Sequence, residues 1–410
     1  MNPILPREFF VPDAEAHVMP DGRLYIYGSL DVSGSSYYCS KEMRCYSTDD
    51  MEHWTDHGVI FRNTAEEPGV PWCPDTDLYA PDAIHKDGKY YLYVCGPGGY
   101  EGVAVGNSPV GPFSAAEPIV GANGRGIDPA IFVDDDGQAY YFWGQFCLCG
   151  GKLADDMKTL IPESIQTEII TEWEHGFHEG ASVRKHNGKY YLVYTDISRG
   201  KATCMGYAMA DHPLGPYRKC GIIVDNVYCD PDSWNNHGSI ECFHGQWYVF
   251  YHRSSQNSKT NRRVCVEPIC FDENGLIAEV GITANGASAP LDAHAETDAS
   301  CAGRMMGGCW IRPKKTCGEV LYRAGGKHWS ADWAEYRWLD FGEGVSRLIL
   351  CVRGQGKITA RTEGLVLGSV SFHEKEFSEV SMDVASVSGI HQLWLMMEGR
   401  EFAIDWFRFT

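Results

Sequence analysis

A five-bladed β-propeller followed by a smaller β-sandwich is the all-β fold that this 410-residue sequence predicts. One short unit recurs five times, an Asp, Asn or His joined to Gly and then an aromatic, β-branched run. The copies begin at Asp21, Asp87, Asp136, Asn187 and His244, in steps of 66, 49, 51 and 57 residues. Composition agrees, with 45 Gly, 22 Tyr and 12 Trp, a mixture that suits turns and strands. No long helical periodicity interrupts the repeats.

Each unit reads as strand, tight turn, strand. The turn pairs are Asp21-Gly22, Asp87-Gly88, Asp136-Gly137, Asn187-Gly188 and His244-Gly245, which is hairpin chemistry because Gly tolerates positive φ. Outer strands are expected at 48–58, 108–114, 154–160 and 212–218. About 50–60 residues with four strands make one propeller blade. A solenoid is the rival, but its repeats are shorter and more regular. Five blades fill residues 1–285. Residues 286–304 are small and Ala-rich and read as a linker. Strands resume over 305–410, at Trp333, Ser346, Lys357, Ile390 and Phe402, as an antiparallel β-sandwich.

Charge and cysteine usage narrow the function. Lys+Arg 35 against Asp+Glu 55 gives a net charge of −20, which disfavours nucleic acid and anionic membranes as partners and suits a neutral substrate. No apolar run is long enough to span a membrane, and the first ten residues lack the apolar core of an export signal, so a cytoplasmic location is expected. The 16 cysteines are scattered, with no CxxC pair, and read as reduced, mostly buried thiols rather than zinc ligands.

A propeller's inner strands line its axis, so equivalent positions on different blades converge. Five to eight residues before each turn stands a polar side chain: Asp13, Asp82, Asp128, Glu179 and His237. One such residue is ordinary turn chemistry. Five at equivalent places, four of them carboxylates, point to a pocket that uses them, because crowded carboxylates are costly.

The motifs Pro12-Asp13, Tyr79-Ala80-Pro81-Asp82, Gly126-Ile127-Asp128-Pro129, His178-Glu179-Gly180 and Asn236-His237-Gly238, in this order, resemble glycoside hydrolase family 43 over about residues 5–290. The resemblance implies a five-bladed propeller that hydrolyses arabinosides and xylosides with inversion. It makes Asp13 the general base, Glu179 the general acid, and Asp128 the carboxylate that orients the acid and raises its pKa. It further implies that His237 sits near the axis, contacting a water or a calcium ion, and that Arg262 reaches the sugar, with Arg263 as the competing candidate. Trp72, Phe177 and His178 are candidate pocket aromatics, and Asp82 belongs to a matched motif at the pocket edge. No cofactor is required, and a structural calcium on the propeller axis is an option. The end of the C-terminal part resembles carbohydrate-binding module family 6.

The expected activity is exo-acting release of a neutral pentose from oligo- or polysaccharides, as α-L-arabinofuranosidase, β-D-xylosidase or both. Endo-arabinanase, xylanase, galactofuranosidase and a non-catalytic sugar-binding propeller are the alternatives. Related sucrose and fructan hydrolases open on a Trp-Met-Asn-Asp-Pro motif, which is absent here.

Overall fold

The structure is a computed structural model that describes residues 1–122, 126–230, 234–315, 318–328 and 330–410. Five separate antiparallel sheets follow one another along the chain. Blade one holds β1 (Glu15–Val18), β2 (Leu24–Ser29), β3 (Glu42–Thr48) and β4 (Trp54–Arg62), and blade two holds β5 (Asp82–Lys86), β6 (Lys89–Gly96), β7 (Tyr100–Gly106) and β8 (Glu117–Pro118). Blade three has β9 (Ala130–Val133), β10 (Ala139–Trp143) and β11 (Cys149–Lys152). Blade four has β12 (Phe177–His186), β13 (Lys189–Asp196), β14 (Cys204–Ala210) and β15 (Arg218–Asp225), and blade five β16 (Ser239–Phe243), β17 (Gln246–Ser255) and β18 (Ser258–Ile269).

The inner strands β1, β5, β9, β12 and β16 touch in a closed ring. Strand periodicity explains the packing between blades. In β2 all six residues are buried. Leu24 and Ile26 face blade five, while Tyr25 and Tyr27 face blade two, as alternation requires. Each of the five blade junctions has its own apolar cluster of this kind. The first residues complete the ring. Ile4 N–H donates to Val264 O at 3.1 Å, and Val266 N–H donates to Asn2 Oδ1 at 3.0 Å.

All five expected turns form. At Asp87-Gly88, Asn187-Gly188 and His244-Gly245 both residues have positive φ, the signature of the tight hairpin turn. The outer strands differ from expectation. Blade four's runs over Arg218–Asp225, later than 212–218. Residues 108–114 form a turn before the two-residue β8, and 154–160 lie outside the named strands of blade three. Pro109, Pro112 and Pro213 lack the N–H that a ladder needs.

The stretch 286–304, expected as a linker, instead joins the C-terminal sheet. It supplies β19 (Leu291–Asp292), β20 (Thr297–Asp298) and the start of β21 (Arg304–Met306). The sheet continues through β22 (Cys309–Pro313), β23 (Glu319–Arg323), β24 (Asp332–Asp340), β25 (Arg347–Thr362), β26 (Leu365–Asp383) and β27 (Ile390–Phe409), nine strands around one apolar core. The segments read separately at 346 and 357 fuse into β25, and those at 390 and 402 into β27. Gly354 and Gly399, at φ of 115° and 116°, bend these strands where turns were expected.

Candidate active site

Three carboxylates from three blades enter one pocket. Its walls are Asp13, Tyr37, Tyr38, Cys39, Tyr79, Ala80, Ile127, Asp128, Gln145, Glu179, Asn235, His237 and Arg262, around about 120 Å³. Asp13 and Asp128 sit just before the inner strands of blades one and three, and both have left-handed backbone, at φ of 57° and 54°. Asp tolerates this conformation better than most residues, and such strain gathers at functional sites. Glu179 lies within β12 at a break in register with β13. The next residue, Gly180, has φ of 72°, and a Cβ there would stand 2.9 Å from the His237 ring. That glycine lets the acid's strand and the His237 segment approach each other.

The surroundings push the carboxyls apart in acidity. Burial alone would raise the Asp13 pKa, but Arg262, then His237 and His252, and a hydrogen bond from Ser29 hold it below its usual value. Arg262 Nη1 donates to Asp13 Oδ1 at 3.0 Å. Asp31 in turn fixes Arg262, accepting Nε at 2.9 Å and Nη2 at 2.9 Å. The neutral His252, pushed to about 3 by burial and Arg262, accepts the Asp13 N–H at Nδ1. Burial raises Glu179 above its ordinary value, and the Asp13 charge adds to this, although His178 and Gln145 pull the other way. Gln145 Nε2 donates to Glu179 Oε2 at 2.6 Å. Asp128 is raised strongly, by burial first and then by the charges of Glu179 and Asp13. His237 Nδ1 stands 3.9 Å from Asp13 Oδ1 and 3.8 Å from Asp128 Oδ2.

Asp13, Asp128, Glu179, His237 and Arg262 thus converge. Arg262 and Arg263 alternate along β18, so Arg262 faces the pocket and Arg263 turns to Glu319. Four expected pocket residues lie elsewhere. Trp72 is 39% exposed and leans on Gly102 in β7. Phe177 is fully buried in the core between blades three and four, 5.7 Å from the Tyr194 ring. Asp82 accepts the Ile131 N–H at 2.7 Å and meets His17 at 2.7 Å, tying blade two to blades three and one. His178 is not among the walls of the cavity; Glu172 meets its Nδ1 at 2.8 Å, and its ring packs edge-on against Phe146 and Trp234. Asp82 and His178 belong to matched motifs and Phe177 adjoins one, whereas Trp72 lies seven residues before the nearest.

Gln145, Tyr37, Tyr38 and Cys39 come from loops that carry no repeat, so the sequence did not reveal them. Tyr79 and Ala80 were visible as part of the Asp82 motif.

Among the described residues, Glu15, His17 and Asp82 form the one group with ligand atoms close enough to share an ion. The Arg184 guanidinium lies beside this group, 2.8 Å from Glu15 and 3.4 Å from His17 Nδ1. No such group forms around His237 among the described residues.

Comparison with known proteins accords with this geometry. The family model for "Glycosyl hydrolases family 43" matches residues 1–277. A xylosidase/arabinosidase of Thermoclostridium stercorarium is 30% identical, over 97% of this chain and 96% of its own. Xylosidase/arabinosidase 43A of Humicola insolens is 33% identical over 68% of this chain and 98% of its own. The solved structure of a β-xylosidase/α-arabinofuranosidase from a compost microbial metagenome, in complex with xylotriose, is 31% identical, covers 68% of this chain and 97% of that one, and superposes with a TM-score of 0.59. With the family model spanning most of its length, this chain belongs to glycosyl hydrolase family 43.

Proposed function

We propose that this glycoside hydrolase releases single pentose residues, α-L-arabinofuranose or β-D-xylose, from chain ends with inversion. The observation that carries the reading is the convergence of Asp13 and Glu179 from two blades in one small pocket, where Arg262 at 3.0 Å lowers the pKa of Asp13 while burial raises that of Glu179. Inversion needs such a pair, with a water between the base and the anomeric carbon and carboxyls ~6.5–9.5 Å apart.

In this reading Asp13 takes a proton from the attacking water while Glu179 gives its proton to the departing oxygen. The bond to the leaving group breaks as the bond to water forms, and the product sugar carries the inverted centre. Arg262 steadies the charge on Asp13. Gln145 aims the Glu179 carboxyl. Asp128, hydrogen-bonded through its N–H to Cys95 Sγ at 3.3 Å, shares the buried charge with Glu179. The pocket, walled by Tyr37, Tyr38 and Tyr79, suits one sugar ring rather than a through-running chain. The relatives named for xylosidase and arabinosidase activity support a pentose.

Rates on aryl α-L-arabinofuranoside, β-D-xyloside and β-D-galactofuranoside, with NMR of the first-formed anomer, test the reading. Turnover of a pentoside with inverted product is expected. Retained configuration, or turnover of the galactofuranoside alone, would sink it.

A further inference from the structure

We infer that Glu319, in the C-terminal sheet, is a positioning residue for the base side of the active site. It sits at the start of β23, buried, where β18 passes. Its carboxylate takes both ends of the Arg263 guanidinium, with Nη1 to Oε2 at 2.6 Å and Nη2 to Oε1 at 2.9 Å. Such two-point pairs fix direction as well as distance. Oε1 also accepts Gln256 Nε2 at 2.7 Å. Gln256 and Asn257 form the tip of the β17–β18 hairpin, and Gln256 Oε1 accepts Asn261 Nδ2 at 3.2 Å. One carboxylate of the C-terminal sheet therefore grips the hairpin at its tip and along its strand. Arg262, the partner of Asp13, lies between those grips.

A second line runs from the same carboxylate to Asp13 itself. Arg263 Nη2 also donates to the Arg7 carbonyl at 2.7 Å, and its guanidinium lies 4.6 Å from the Phe10 ring centre. Phe10 bridges Asp31, whose N–H donates to the Phe10 carbonyl at 2.8 Å. Asp31 is the residue that clamps Arg262. Three residues beyond Phe10 comes Asp13 in its left-handed conformation. The base, its arginine and that arginine's clamp therefore share an anchor outside the propeller. The hydrogen bonds found for Glu179 and Gln145 stay within the propeller. The brace is one-sided.

This inference rests on Asp13 acting as the base. A misplaced base slows water attack whatever the leaving group, whereas a misplaced acid harms poor leaving groups most. Glu319→Gln keeps the shape and loses the charge. Its kcat should fall about tenfold, by the same factor on a nitrophenyl pentoside and on an oligosaccharide, with KM within about twofold of the parent. Glu319→Asp should recover part of the loss. In an Arg262→Lys background, Glu319→Gln should cost much less than it does alone, because both changes act through one contact. If Glu319→Gln does not fold, Arg263→Lys, which keeps the charge and loses the two-point grip, should give the same even loss. An unchanged kcat with only a lower Tm would overturn the inference, as would a loss confined to the poor leaving group or full additivity with Arg262→Lys. Asp13→Ala is measured alongside: if it stays active, the base assignment fails, whereas an inactive Asp13→Ala with an indifferent Glu319→Gln defeats the brace alone.

Discussion

Asp13 and Glu179 are both carboxyls in one pocket, and their neighbours decide which keeps its proton. Removing them should therefore have different effects. Glu179→Ala should lose on the order of 10²–10⁴-fold on a natural oligosaccharide but far less on a nitrophenyl glycoside, whose leaving group needs no proton. Asp13→Ala should be slow on both, and azide should restore part of its activity by attacking from the water's side. Steady-state kinetics on the two substrates separate these outcomes. Asp128 and Glu179 titrate as a pair, because each charge raises the other's cost. Loss of the pair's last proton sets the alkaline limb of kcat. In Asp128→Asn that proton leaves a single carboxyl beside a neutral neighbour, so it leaves at lower pH. The alkaline limb should move to lower pH, and a pH–rate profile that stays fixed or moves upward contradicts the pairing.

Elements were legible where local chemistry dictates them. The five X-Gly turns and the carboxylates before them stand in the sequence at blade spacing, and each turn forms. Third strands such as β3 and β14 follow from pairing with a neighbour rather than from a local signal. The glycines of β25 and β27 read as turns because a bend and a turn use the same residue. Trp72 and Phe177 illustrate a further limit, since aromatics serve core and pocket alike and only the path of the chain tells them apart. Ring closure by the first residues was invisible in the sequence, since Asn2 carries no pattern. Its amide donates to Val266 O at 3.1 Å, Glu267 at 3.0 Å and Thr283 O at 3.1 Å, fully buried. Asn2→Ala leaves several of these groups unpaired, at about 1–3 kcal/mol each before relaxation. Thermal unfolding of this variant should begin several degrees lower, with kinetic constants near those of the parent at low temperature.

At the scale of the whole molecule, buried carboxyls tie stability to pH. Burial raises Glu15, Asp82 and Glu267 to about 7 and Asp230 to about 8. Unfolded, such groups titrate near ~4. Between those values the folded protein holds protons that the unfolded chain has released, so folding takes protons up. Their contribution is full below ~4 and fades as pH rises through 7–8. Asp13 and Asp225, whose pKa values are lowered, add stability that is lost only in stronger acid. Tm should therefore be higher near pH 5.5 than near pH 8.5. Calorimetry at the two values checks this, and a Tm that rises with pH would show that Arg184 and the neighbouring donors keep these groups ionised.

The seam between Asn2–Ile4 and β18 also has a consequence in time. The residues that finish the ring leave the ribosome before their partner around Val264, which follows more than 250 residues later. At about 5–20 residues per second the wait is roughly 15–50 s. Until then blade one presents an open edge to the cell, and the nascent chain depends on whatever shields that edge during synthesis.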